Sequence, residues 1–75
     1  MKEYFIADDL SGALDAAAAF HHAGRKVRIV LDPADWSASD DEVVGVTTET
    51  RNAPPDQATA VVARTIARGQ AQGAR

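Results

Sequence analysis

The chain has no cysteine among its 75 residues. Disulfides and thiolate-held metal sites are therefore excluded, which suits a reducing compartment; the expected location is the cytoplasm. Aromatic residues are scarce, with one Trp, one Tyr and two Phe. There is no aromatic ladder for stacking bases and no basic stripe, so no nucleic-acid partner is expected. The net charge is -3, with acids and bases interspersed. No apolar run is long enough to span a membrane. Met1-Lys2-Glu3-Tyr4 leads straight into an expected strand, so no signal peptide is expected. A chain this short makes one domain at most, and such a domain buries only about 60% of the surface its unfolded chain exposes.

What the sequence does contain is a compact apolar run, an acidic turn and a run of helix formers. Tyr4, Phe5 and Ile6 predict a buried strand over residues 3–7. Asp8 and Asp9 follow, and Ser11-Gly12 opens a helix over residues 10–23. Leu10, Ala13, Leu14, Ala17 and Phe20 share the expected apolar face, while Asp15 and His22 lie on the other side. Gly24 stands where a left-handed cap is needed, beside Arg25 and Lys26. Branched residues predict a second strand over 27–31, parallel to the first because the link between them is a crossover. Residues 32–41 form a polar connection containing Trp36, with a short helical turn expected at 33–36. A third strand is expected over 42–47. After Pro54, Pro55 starts a second helix whose stripe is Ala58, Val61, Val62, Thr65 and Ile66. From Gly69 on, a polar, frayed tail is expected.

This order, β-α-β-β-α, is the opening of a doubly wound α/β fold. The expected architecture is a Rossmann-like, three-layer parallel sheet with strand order 2-1-3, incomplete because three strands leave two open edges. Right-handed crossovers then place the two helices on opposite faces.

Ligands of open α/β sheets bind beyond the carboxyl ends of the strands. Asp8 and Asp9 occupy such an end, and Arg51 occupies the next one. The carboxylates can accept hydrogen bonds from sugar hydroxyls, one can serve as a general base, and both can ligate Mg²⁺. The plainer reading has Asp9 capping the helix and Asp8 solvated. Arg51 can grip a carboxylate with two parallel hydrogen bonds, and Thr48 and Thr50 can add hydroxyl donors. His21 and His22 point about 100° apart on a helix and make a poor metal pair. The turn after the first strand has one glycine, which is too few for a dinucleotide fold, and no phosphate-cradling Gly-Lys-Ser/Thr loop is present. A receiver-type acidic pocket would need an acceptor Asp after the third strand, where this chain has Thr47-Thr48-Glu49.

Ile6-Ala7-Asp8-Asp9-Leu10-Ser11-Gly12-Ala13-Leu14-Asp15 resembles the opening of the four-carbon acid sugar kinases, whose pattern is Ala-Asp-Asp-Leu-Thr-Gly-Ala. Thr48-Glu49-Thr50-Arg51 resembles that family's second N-terminal motif, Thr-(Asp/Glu)-(Ser/Thr)-Arg. The likeness covers nearly the whole chain. Ser11 replaces the usual Thr, and Pro54 stands where a capping Ser is common. The resemblance implies that residues 1–75 are the N-terminal part of an acid-sugar-binding domain, without the C-terminal nucleotide-binding domain. It implies an ATP-dependent kinase acting on threonate, erythronate or 3-oxo-tetronate as a full-length enzyme, using ATP and Mg²⁺ that this chain alone does not bind. It also implies that Asp8 and Asp9 meet substrate hydroxyls and Arg51 the substrate carboxylate, with Asp9 as the candidate catalytic residue and no metal ligands in this segment. The implied partners are a small sugar acid and the C-terminal domain; composition and hydropathy, as above, lead to no nucleic-acid and no membrane partner, and a homodimer is left open. The alternative is a non-catalytic α/β interaction module that keeps the fold without the chemistry.

Overall fold

The computed structural model describes residues 2–75. Five elements follow one another: β1 (Glu3–Ala7), α1 (Leu10–His22), β2 (Val27–Val30), β3 (Val43–Thr47) and α2 (Pro55–Ala71). The three strands form one parallel sheet in the order β1-β3-β2. The expected order 2-1-3 is thereby corrected: β3, not β1, is central. The physical reason lies in side-chain size and charge. Val43, Val44, Gly45, Val46 and Thr47 are all buried, as a strand covered on both faces requires. The outer strands are only half-buried and carry charges. Glu3 of β1 accepts a bond from Arg25 at 2.6 Å, and Arg28 of β2 donates to Glu42 at 2.7 Å. β1 and β3 are neighbours in either order, so the rim that joins their carboxyl ends is unaffected.

The helices cover opposite faces. Phe5, Gly45 and Ile29 share one register row, and the Phe5 ring stacks on Phe20 of α1 at 5.5 Å. Tyr4 and Val44 are in the adjacent row and face the other way. There Tyr4 meets Trp36 at 5.1 Å and lies against Gly69 of α2. Trp36, only 3% exposed, packs with Val44 and Val46 as the core of that face. The connection carrying Trp36 makes a single turn at Pro33–Ala34, closed by the Asp35 N–H to Asp32 O at 3.3 Å and by the Ala34 N–H to Asp32 Oδ1 at 3.0 Å, and does not extend into a helix.

Two further expectations are revised. Helix α1 turns Ala13, Ala17 and Phe20 toward the sheet but leaves Leu10 and Leu14 42% and 54% exposed. The Phe5 ring lies over Gly45 and stacks on Phe20, while Ala13 is the fully buried residue of α1. The polar tail is not frayed. Helix α2 continues through Gly69 to Ala71, and the absence of a side chain at Gly69 makes room for the Tyr4 ring: a Cβ there would lie 2.6 Å from Cε1. Ala74 is buried, the Arg75 N–H donates to Lys2 O at 2.9 Å, and the Tyr4 N–H donates to Arg75 O at 3.0 Å. Those two bonds are the pattern of a parallel bridge on the outer edge of β1. Gly24 adopts the left-handed conformation its place required, with φ 81°.

Candidate functional site

The turns after β1 and β3 are joined by backbone before any side chain is considered. The Thr48 N–H donates to Ala7 O at 2.9 Å. The Thr50 and Arg51 N–H groups both donate to Asp8 O, at 2.9 and 3.3 Å. Asp8 thus holds the second turn through its carbonyl, while its exposed carboxylate makes no hydrogen bond to another described residue.

Asp9 is the N-cap of α1, in extended backbone conformation with φ -149° and ψ 167°. Its Oδ1 accepts from the Gly12 N–H at 2.7 Å, which satisfies one of the orphan donors of the helix start. Its Oδ2 accepts from Arg51 Nη1 at 2.5 Å. Asp8, Asp9 and Arg51 therefore meet at one rim, on neighbouring strand ends. The Gly12 N–H, and after it the Arg51 guanidinium, hold the Asp9 carboxyl below its usual value, and Asp9 in turn raises the Arg51 guanidinium.

Thr48 and Thr50, expected as ligand donors, are spent inside the protein. Thr48 Oγ1 donates to Ala7 O at 3.3 Å and lies 2.7 Å from Thr50 Oγ1. A hydroxyl has one proton. With that of Thr48 on Ala7 O, Thr50 donates to Thr48, and both residues are buried. Between them Glu49 sits at φ 53°, a left-handed conformation in which non-glycine residues are uncommon, and accepts from Thr47 Oγ1 at 2.7 Å. Sequence reasoning gave Glu49 no role, because nothing in its residue type signals such a backbone. The Asp8 carbonyl was equally invisible, being backbone. Asp15, His21 and His22 are exposed and stand outside this constellation.

Among the described residues no group of three or more His, Asp or Glu side chains could hold a metal ion. Each Asp9 oxygen already accepts one hydrogen bond, and that carboxylate occupies the positive pole of α1. A cavity of about 370 Å³ lies elsewhere, lined by Pro33, Ala34, Val61, Arg64 and Arg68, and shares no residue with the rim. No helix is long and apolar enough to cross a membrane among the described residues.

The lowered carboxyls make a small, pH-dependent contribution to stability. Glu3 is held down chiefly by its bond from Arg25, and Asp9 by Gly12 and Arg51. A carboxyl whose folded value lies below its unfolded one stabilises the fold above the unfolded value, and that contribution is lost as pH falls through the folded one. The melting temperature should therefore hold from neutral pH to roughly pH 5 and fall below about pH 4. Thermal melts of the Glu3→Gln, Asp9→Asn double variant should show a shallower acid slope; an identical slope would count against these two groups as its source.

The fold is a small α/β domain in which Asp8, Asp9 and Arg51 come together beyond the ends of adjacent parallel strands. Residues 4–75 match the family profile described as the sugar-binding N-terminal domain, and the chain belongs to that family. No curated protein and no solved structure matches it.

Proposed function

We propose that this domain binds a four-carbon acid sugar, of the threonate, erythronate or 3-oxo-tetronate type, on behalf of an ATP-dependent sugar-acid kinase. The observation that carries the reading is the meeting of Asp8, Asp9 and Arg51 at one rim, within a member of a sugar-binding family. The Arg51 side chain is largely exposed, and its guanidinium takes the ligand's carboxylate. The Asp8 carboxylate, having no hydrogen bond to another described residue, is available to the hydroxyls at the other end. The base role expected for Asp9 suits Asp8 better in this reading, since Asp9 has both oxygens engaged. ATP and its Mg²⁺ belong to a further, nucleotide-binding domain, as the resemblance to the acid sugar kinases implies.

Calorimetric titration with threonate and erythronate, beside the neutral tetritols threitol and erythritol, tests the substrate class. The acids should bind at least tenfold more tightly than the tetritols, the worth of one charge-assisted hydrogen bond or more. Equal affinity, or none for any acid, would refute it. The kinase assignment predicts sugar-acid-dependent ADP release by the full-length enzyme and none by residues 1–75 alone.

A further inference from the structure

We infer that Asp9 is a positioning residue: fixed to the start of α1, it holds one edge of the Arg51 guanidinium and leaves the other edge to the ligand's carboxylate. The inference rests on the sugar-acid reading for its ligand, but the positioning itself is a property of the free protein.

Asp9 is well restrained. Gly12 donates to Oδ1 at 2.7 Å, and a Cβ on Gly12 would lie 3.2 Å from that oxygen, so glycine lets the carboxylate seat closely on the helix start. Its side chain is 20% exposed, whereas that of Arg51 is 67% exposed. The Arg51 backbone is tethered to Asp8 O, but its long side chain has no other hydrogen bond to a described residue than the one to Asp9. Without that bond it would sample many rotamers, and ordering it would weaken every ligand contact it makes. The guanidinium has five N–H donors in a planar fork. One is used by Asp9, and the Nε/Nη2 edge can pair with a carboxylate bidentately. One planar cation can thus bridge an internal and an external carboxylate and offset the repulsion between them.

Asp9→Asn separates positioning from chemistry. Asn is about as good an N-cap as Asp, so α1 keeps its start. Once its oxygen faces Gly12, its amide presents a donor to the Arg51 donor and the tie is lost. In the ligand-free protein, ¹⁵N relaxation of the Arg51 side chain should show an ordered guanidinium in the parent and a disordered one in Asp9→Asn. In the full-length kinase, KM for the sugar acid should rise about tenfold, the effect of one charge-assisted hydrogen bond, with kcat within a few-fold. Asp9→Ser, which also caps but cannot reach Arg51, should repeat the pattern. A fall in kcat of about 10²–10⁴-fold at unchanged KM would make Asp9 the base and overturn the inference. Unchanged Arg51 order in both variants would overturn it as well. Loss of Arg51 order, in a protein that binds no sugar acid, would support the positioning role and reject the substrate class.

Discussion

In the sugar-acid kinase proposed above, Arg51→Ala is expected to raise KM for a four-carbon sugar acid by about 10²-fold, with a much smaller effect on kcat. Two charge-assisted hydrogen bonds to a ligand carboxylate account for a loss of that order. A contact remote from the reacting hydroxyl, as proposed for Arg51, is equal in the ground and transition states and so is expected to appear in KM. Stability should change little, because the Asp9–Arg51 pair is at the surface and the backbone bonds of Thr50 and Arg51 to Asp8 O remain. Arg51→Lys should recover only a fraction of the affinity. An ammonium can pair with Asp9 or with the ligand, but it lacks the planar fork that serves both at once. Steady-state kinetics with a sugar acid, and calorimetry with the matching tetritol, check this. Equal losses of affinity for acid and tetritol would show that Arg51 does not read the carboxylate.

The largest effect on folding is expected at Gly45, in the middle of the central strand. A Cβ there would lie 2.3 Å from Phe5 Cζ, 2.8 Å from Phe5 Cε2 and 2.9 Å from Ile29 Cδ1. These are the ends of side chains, so movement is the first response. The Phe5 ring, however, is stacked on Phe20 at an interplanar angle of 15°. Moving it separates α1 from the sheet. Alanine gains roughly 0.5–1 kcal/mol over glycine in a strand, whereas overpacking costs typically 1–3 kcal/mol, so Gly45→Ala should destabilise. Gly45→Leu adds volume on the same face and should leave the domain largely unfolded, given the small margin of a domain this size. Phe5→Leu should partly rescue Gly45→Ala, since it shortens the ring that the new methyl meets. Urea unfolding of the two singles and the double measures that coupling. Additive effects would show that the Phe5 ring is not the obstacle.

Much of the fold was legible along the chain because the signals are local. The apolar runs marked the three strands to within a residue, the proline pair set the start of α2, and Gly24 marked the end of α1. The β-α-β order then required parallel strands; the helices do lie on opposite faces, but that expectation rested on the strand order 2-1-3, which the sheet order β1-β3-β2 replaces. The acidic turn and Arg51 were readable as a rim because both follow strands directly, at ends that point the same way in any parallel sheet.

The tertiary structure decided what depends on contacts between distant residues. Strand order depends on which strand can be covered on both faces. β3 won that place because its valines and Gly45 fit between Phe5 and Ile29 on one side and Tyr4 and Trp36 on the other. Gly69 read as a stop, yet it lies inside α2 where a side chain would meet the Tyr4 ring, and the chain beyond it returns to pair Arg75 with β1. At the rim, the sequence by itself determined that Asp8, Asp9 and Arg51 lie at strand ends. Only the fold decided that the Asp9 carboxylate is shared between Gly12 and Arg51 while the Asp8 carboxylate is left to solvent. Residue types specify what a group can bond to; the closeness of two turns 42 positions apart specifies what it does bond to.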